Sequence, residues 1–257
     1  MTNAAVTFFS CASEDLSGIM RLMTFHSLLD IIFPRFCAGC GKKAGDGFLY
    51  LCWDCLAGIK TVQPPYCALC GDPVAGSVPE VYSCAACVRQ RPYFDCARSA
   101  CAYTGLLKEM ILDFKYGAAV WLAHDLGSLL YACLRQNYNA DNLDCITYVP
   151  LHRAKERTRS YNQSLLLAKE IGGRLNRRVA ACLARTEPTE SQTHLTAPER
   201  AANVRNKFAA RKGADLKDKN ILLIDDVMTT GATVNECAHT LKKSGAREVL
   251  VLTVARG

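Results

Sequence analysis

The chain has 257 residues, half of them hydrophobic, a formal net charge of +7 and fifteen cysteines. This length and composition indicate a globular protein with one mid-sized domain and a smaller one. No apolar run approaches the roughly 20 residues that cross a bilayer, and the first twenty residues lack the basic segment of a secretory signal. We therefore expect a cytoplasmic protein without membrane insertion.

Residues 1–27 have a mixed composition, and we interpret them as a variable N-terminal extension. Methionines at positions 20 and 23 follow the one at position 1, so translation could start at Met1, Met20 or Met23. We expect two domains after this extension, a small one over residues 28–92 and a larger one over residues 93–257.

Eight cysteines between residues 28 and 92 form four C-x-x-C pairs. Successive pairs are separated by eleven residues (Cys40 to Cys52) and thirteen residues (Cys70 to Cys84), which is typical of four-thiolate zinc sites. Sequential pairing is the simplest assignment, and an interleaved arrangement stays open. Since neither set includes a histidine or a carboxylate, we expect two structural Zn²⁺ ions. The first cysteine set is Cys37, Cys40, Cys52 and Cys55, and the second cysteine set is Cys67, Cys70, Cys84 and Cys87.

Other cysteines and several aromatic residues are interpreted as structural. The scattered cysteines are predicted to be small buried side chains; they are Cys11, Cys96, Cys101, Cys133, Cys145, Cys182 and Cys237. Five aromatic residues could stack on a base, but packing in the core or at a hinge is favoured. They are Tyr93, Phe94, Tyr103, Phe114 and Tyr116.

From about residue 93 the sequence alternates helical and strand patterns. Apolar periodicity predicts helices over 104–117, 119–136, 161–175 and 233–245, and strands over 144–151, 178–185, 219–227 and 248–255. This alternation predicts an α/β domain, a mostly parallel sheet flanked by helices. Ligands of such sheets bind beyond the carboxyl ends of the strands.

Positive charge is concentrated in the middle of the chain. Residues 150–212 contain fourteen Lys and Arg, five Glu and no Asp, a local charge of +9. This concentration indicates an anionic ligand, either a phosphorylated small molecule or nucleic acid, while a solvated basic surface remains an alternative.

The stretch ILLIDDVMTTGAT, residues 221–233, runs from an apolar strand into two adjacent acids and a loop of small residues. A helix is predicted to begin near Thr233, with Glu236 as its capping-box partner. Such a loop directs backbone amides and hydroxyls at a phosphate, and the missing Lys distinguishes it from a nucleoside-triphosphate P-loop. Acids beside a phosphate cradle suit a ribose 5-phosphate and a divalent cation. The alternative is that Asp225 and Asp226 only end a strand.

This stretch resembles the 5-phosphoribosyl 1-pyrophosphate (PRPP) signature of type I phosphoribosyltransferases, and the resemblance implies their fold. It also implies that the two acids bind the ribose hydroxyls, that the loop wraps the 5′-phosphate and that Mg²⁺ accompanies the pyrophosphate. The implied PRPP-binding residues are Asp225, Asp226, Val227, Met228, Thr229, Thr230, Gly231, Ala232 and Thr233.

Together with the cysteine segment, FKYG and VPLHRAKERTRSYNQS, the signature resembles the ComF family of competence-associated proteins over residues 28–257. The resemblance implies a pyrophosphate-binding loop formed by His152, Arg153, Arg157 and Arg159, with Lys155 among them. It further implies a flexible loop that closes over the substrate and contains Arg185, Thr186, Gln192 and Arg200. Ser160 and Tyr161 stand where the family usually has Gly-Phe, and serine adopts a positive φ less readily than glycine.

Three functions remain open at this point. The first is a phosphoribosyltransferase with an unidentified acceptor, in which pyrophosphate is displaced from the anomeric carbon. The second is a non-catalytic competence protein that uses the phosphoribosyl site as a sensor or scaffold and binds single-stranded DNA and a helicase. The third is a zinc-dependent nucleic-acid-binding module with a structural α/β domain, which the intact acid pair disfavours.

Overall fold

The computed structural model describes residues 35–44, 48–79, 81–187 and 196–257. The extension expected at residues 1–27, with Cys11, and the flexible-loop residue Gln192 lie outside these ranges. Among the helices in the described ranges, none combines the length and apolar character needed to cross a membrane.

Strands and helices alternate after residue 93, as the sequence predicts. The strands are β1 (Cys96–Ala102), β2 (Cys145–Tyr148), β3 (Leu183–Arg185), β4 (Phe208–Ala210), β5 (Asn220–Met228) and β6 (Glu248–Arg256). The helices are α1 (Trp53–Ala57), α2 (Ala85–Arg89), α3 (Gly105–Tyr116), α4 (Ala123–Asn137), α5 (Arg153–Arg159), α6 (Gln163–Leu175), α7 (Ala197–Val204) and α8 (Ala232–Lys243). Short 3₁₀ helices span Val120–Leu122 and Ala140–Asn142.

The main sheet is fully parallel, in the order β1-β6-β5-β2. In its central strand β5, Asn220 is followed by an apolar run, Ile221–Ile224, that is wholly buried. Such runs are typical of parallel strands covered on both faces. The predicted parallel α/β architecture is therefore confirmed.

The strand predicted over 178–185 forms only in part. Val179 makes an isolated parallel bridge to Ile146 of β2, and only Leu183–Arg185 form a strand, β3. That strand pairs with β4 in an antiparallel hairpin outside the main sheet. The first half of the apolar pattern therefore bridges β2 at the sheet edge, and the second half pairs with β4 outside the sheet.

Two apolar clusters cover the opposite faces of the sheet. Alternate residues of β5 point to opposite sides, so Leu222 and Ile224 join the cluster with α3, α4 and α6, and Ile221 and Leu223 join the one with α8. The helices and strands thereby leave the carboxyl ends of β2 and β5 open for a ligand.

Each cysteine set is continuous with one of these clusters. Cys37 of the first cysteine set packs with the α3 and α4 side, and Cys67 of the second cysteine set packs with the α8 side. Asp125 of α4 is fully buried and accepts hydrogen bonds from the backbone N–H groups of Leu49 (2.8 Å) and Tyr50 (2.7 Å). The cysteine segments thus extend the core on both faces of the sheet.

Candidate functional site

The eight paired cysteines form two separate clusters. Within each set, the four Sγ atoms lie within 4.8 Å of one another, and the sets are those of sequential pairing. The sequential assignment is confirmed, and the interleaved alternative is wrong.

The geometry of both clusters fits zinc. A tetrahedral ion with Zn–S bonds of about 2.3 Å places its sulfur atoms about 3.8 Å apart. The Sγ atoms of Cys40 and Cys52 are 3.6 Å apart, and those of Cys70 and Cys84 are 3.7 Å apart. With four thiols and no open position, each cluster suits a structural ion.

Backbone donors prepare one thiol of each set for metal binding. Burial by itself would raise the pKa of Cys37, but N–H groups of Cys52, Cys40 and Gly39 outweigh it and lower the pKa to about 6. Cys67 shows the same balance, with a pKa lowered to about 7 by N–H groups that include that of Cys84. Zinc binds the thiolate, so both shifts favour it.

The acid pair lies inside the central strand. β5 continues through Asp225 and Asp226 to Met228, which pairs with Arg256 of β6. Val227 is a strand residue, as predicted for 219–227, and Met228, which the resemblance assigned to the loop, is a strand residue too. Pairing with β6 extends the strand one residue beyond its predicted end.

The two carboxylates have different partners. Asp225 Oδ1 accepts from the Ser164 hydroxyl at 2.8 Å and from the Asp226 backbone N–H at 2.9 Å. Burial, followed by the adjacent Asp226 charge, raises the pKa of Asp225 to about 7. Lys115 Nζ lies 2.9 Å from Asp226 Oδ1. Burial would lower the pKa of Lys115, but the Asp226 carboxylate outweighs it and the pKa is raised.

A short loop connects the acids to helix α8. Gly231 has φ 77° and forms the N-cap of α8, with no side-chain cap bond. The predicted capping box at this helix is wrong, because Glu236 instead accepts from the Asn206 backbone N–H at 2.8 Å. A capping box forms at α7, between Thr196 and Glu199. Gly231 has no side chain to cap the helix, which makes the first turn of α8 a favourable place for a phosphate.

A cavity of about 580 Å³ opens at the carboxyl ends of β2 and β5. It is lined by eight of the predicted site residues, namely Asp225, Asp226, Val227, Thr229, Thr233, Arg159, Arg185 and Arg200. Other lining residues include Lys155, Lys108, Lys115, Ser164, Tyr103 and Tyr116. Cations from several elements therefore surround one pair of carboxylates.

The remaining predicted residues lie elsewhere. Met228, Thr230, Gly231 and Ala232 line a second cavity, of about 960 Å³, on the other side of the loop. His152, Arg153, Arg157 and Thr186 line neither cavity.

The basic segment after β2 is a helix, α5, where the resemblance implies a loop. The His152 Nδ1 accepts from the Ala154 backbone N–H at 3.3 Å, and Arg153 and Arg157 are exposed. Only Lys155 and Arg159 line the cavity. Helical spacing places these two on one face, four residues apart.

Arg159 is fixed by several contacts. It donates to the Gln163 side chain at 3.2 Å and to the Tyr116 hydroxyl at 3.0 Å, and its guanidinium lies 4.7 Å from the centre of the Tyr116 ring. Burial lowers the pKa of Lys155, and repulsion by Arg185 and Arg159 adds to the effect. An anion between these cations would relieve that repulsion.

Two residues assigned to the flexible loop face the same cavity. Arg200 Nη1 donates to Thr229 Oγ1 at 2.9 Å, which connects α7 to the loop before α8. The Arg185 guanidinium lies 5.2 Å from the centre of the Phe208 ring in the β3–β4 hairpin. Thr186 is exposed and its backbone N–H donates to Lys207 O at 2.9 Å.

Sequence reasoning assigned no role to Lys115 or Ser164. Both belong to the motifs FKYG and SYNQS, but their roles depend on contacts between α3, α6 and β5 that no local pattern encodes.

Phe94 and Phe114 are buried as predicted, whereas Tyr116, 67% exposed, and Tyr93, 47% exposed, are not core residues. Of the scattered cysteines, Cys101, Cys133, Cys182 and Cys237 are buried, and Cys96 and Cys145 are half-buried.

Two family models match the chain. The double zinc ribbon domain matches residues 28–88, and the phosphoribosyl transferase domain matches residues 163–257. These matches agree with the two cysteine clusters and with the strand–loop–helix unit that carries the acids.

Full-length relatives also match. Competence protein F of Haemophilus influenzae is 31% identical over 80% of this chain and 90% of its own. DNA utilization protein YhgH of Escherichia coli K12 is 28% identical over 87% of this chain and 97% of its own. Competence protein ComFC of Bacillus subtilis is 26% identical over 80% of this chain and 84% of its own.

Proposed function

The chain belongs to the ComF family of competence proteins, and we propose that it binds PRPP with Mg²⁺ and transfers or recognises the phosphoribosyl group. The cavity at the end of β5 supports this proposal. Its volume of about 580 Å³ lies within the range for small-molecule sites.

One observation carries the proposal: the acid pair shares a cavity with Thr229 of the loop, with Thr233 in the first turn of α8 and with cations from separate elements. Asp225 and Asp226 suit ribose hydroxyls, and the Thr229 side of the loop suits the 5′-phosphate. Lys155 and Arg159 of α5 suit the pyrophosphate. Each part of the donor therefore has groups of matching chemistry.

The acid pair also fits a divalent cation. Asp225 has a raised pKa because it is buried beside another carboxylate, and a hard cation with oxygen ligands would relieve that cost. Asp225 and Asp226 would be the groups that hold it, directly or through the ribose. When bound, Mg²⁺ would neutralise charge on the departing pyrophosphate.

In the proposed transfer, the bond between the anomeric carbon and pyrophosphate breaks as the acceptor attacks that carbon. Pyrophosphate leaves with the electron pair of the broken bond, so its negative charge grows. Arg159 is held in place by Gln163 and Tyr116, and a fixed cation stabilises such charge without reorganising.

A second candidate is a non-catalytic competence protein that binds single-stranded DNA and a helicase partner. Arg153 and Arg157 favour it, because they are exposed on α5 beside the cavity without lining it. Exposed arginines suit a nucleic-acid backbone. The names of the relatives, competence protein and DNA utilization protein, support a link to DNA uptake in both cases.

Isothermal titration of PRPP with Mg²⁺ tests the donor site. We expect Asp225→Asn to weaken binding at least about 10-fold, because a charged acceptor of the ribose hydroxyls is lost. Asp215→Asn is the matched control, since the Asp215 side chain is 80% exposed and outside the cavity. A wild-type protein that fails to bind PRPP would refute the proposal, and binding without pyrophosphate release would favour the second candidate.

A further inference from the structure

Arg256 at the end of β6 connects the cysteine-rich segment to residues 229–231 between β5 and α8, which we call the phosphate loop. Arg256 pairs with Met228 across the sheet, directly before the loop. Its Nε and Nη2 lie 3.0 and 2.9 Å from Asp72 Oδ1, and its Nη1 donates to Met228 O at 3.5 Å. One guanidinium therefore contacts both Asp72 and the strand end from which the loop begins.

Asp72 belongs to the turn of the second cysteine set. Its carbonyl accepts from the Cys67 backbone N–H at 2.9 Å. The turn is packed tightly, because Gly71 has φ +67° and an added Cβ would lie 2.6 Å from Ala97 O of β1. The position of Asp72 is thus set by the cysteine cluster and by the sheet edge.

On this side the phosphate loop borders a cavity. Thr230, Gly231 and Ala232 line the cavity of about 960 Å³ together with Cys70 and Asp72. Both partners of the ion pair, Asp72 and Arg256, line the same cavity. Arg256 is 10% exposed and Asp72 is 47% exposed, so the pair is only partly screened by solvent.

We propose that Asp72 and Arg256 are a positioning pair through which the second cysteine set holds the phosphate loop for the donor. The inference rests on the proposed function, because the ligand it concerns is PRPP. The pair acts through Met228, whose carbonyl also accepts from the Gly257 backbone N–H at 3.1 Å. Zinc binding by the second cysteine set would then contribute to donor affinity through Asp72.

A double-mutant cycle measured by PRPP titration tests the pair. Asp72→Ala and Arg256→Gln should each weaken PRPP binding about 3- to 10-fold, because either change frees the strand end before the loop. The double variant should bind PRPP no more weakly than the single variant with the lower affinity, because both substitutions remove the same ion pair. Additive effects, or effects below about 2-fold, would overturn the inference.

Hydrogen exchange without PRPP gives an independent readout. Backbone amides of residues 228–233 should exchange faster in Asp72→Ala than in wild type, while zinc content stays at two ions per chain. Equal exchange would contradict the inference, even if the wild type did not bind PRPP and the proposed function failed.

Asp95→Asn is the matched control. Asp95 lies 2.6 Å from Lys242 and caps the other end of β6 through the Val249 N–H, at 2.8 Å. The substitution removes an ion pair between α8 and the residue before β1, so it controls for general loss of stability. We expect unchanged PRPP affinity and loop exchange; a loss equal to that of Asp72→Ala would overturn the inference.

Discussion

Asp225 and Asp226 are adjacent in sequence but differ in how their charge is balanced. Asp226 has Lys115 at 2.9 Å, whereas Asp225 has the hydroxyl of Ser164 and a backbone N–H. A hydroxyl stabilises a buried carboxylate less than an ammonium group does. Asp225 is therefore the acid whose ionisation costs the ligand-free protein most.

Asp225→Asn should stabilise the ligand-free protein at neutral and alkaline pH. Burial beside Asp226 raises the pKa of Asp225 from 3.8 to about 7 in the folded chain. At low pH the protonated Asp225 therefore contributes to the free energy of unfolding, and this stabilisation is lost as the pH rises from about 4 through about 7. Asparagine stays neutral and still accepts both hydrogen bonds. We expect a gain of about 1–3 kcal/mol at pH 8 and none near pH 4, measured by urea denaturation.

The control for this prediction is Asp215→Asn, because the Asp215 side chain is largely exposed. It should change the free energy of unfolding by less than about 0.5 kcal/mol across the same pH range. A stability difference for Asp225→Asn that is independent of pH would show that Asp225 ionises normally.

Among the elements, α5 departs most from its expected form. The resemblance implies a loop over 153–159, but the segment is helical and ends at Ser160, which has φ +63°. The left-handed conformation reverses the chain before α6 and is less favourable for serine than for glycine. Ser160, which stands where the family usually has Gly, is therefore the residue that ends α5 in the left-handed conformation.

Ser160→Gly should stabilise the protein. Glycine adopts φ +63° without steric cost, and this gain exceeds its greater entropy in the unfolded chain, so we expect about 0.5–1 kcal/mol. Ser160→Ala is the matched control, because alanine keeps the strain and should give no gain. Denaturant unfolding of both variants measures the difference, and equal stability of Gly and Ala would contradict the strained turn.

The sequence predicts those features that local chemistry encodes. Apolar periodicity predicts helices α3, α4, α6 and α8. Residue spacing predicts the acid pair and the two cysteine sets. The Lys115–Asp226 contact does not follow from periodicity or spacing, because it joins α3 to β5 across 111 positions. The last strand residue, Met228, does not either, because pairing with Arg256 of β6 extends β5 one residue past its predicted end.

At the scale of the whole molecule, the two cysteine sets lie against opposite faces of one sheet. The first packs with the α3 and α4 side, and the second with the α8 side. Backbone hydrogen bonds also join the cysteine segment to β1, from Val62 to Ala100 O at 3.0 Å and from Ala102 to Lys60 O at 2.8 Å. Metal binding by these segments should therefore stabilise the α/β core as well.

Removal of zinc should destabilise the sheet as well as the cysteine segments. Without the first cluster, Leu49 and Tyr50 would no longer hold their N–H groups against Asp125, and its buried carboxylate would lose two donors. We expect chelation under reducing conditions to lower the Tm of the whole chain by at least about 10 °C. Hydrogen exchange should rise in α4 and β1 along with residues 35–60. Two separate thermal transitions, with α4 and β1 still protected after chelation, would instead show that the cysteine segments fold independently of the core.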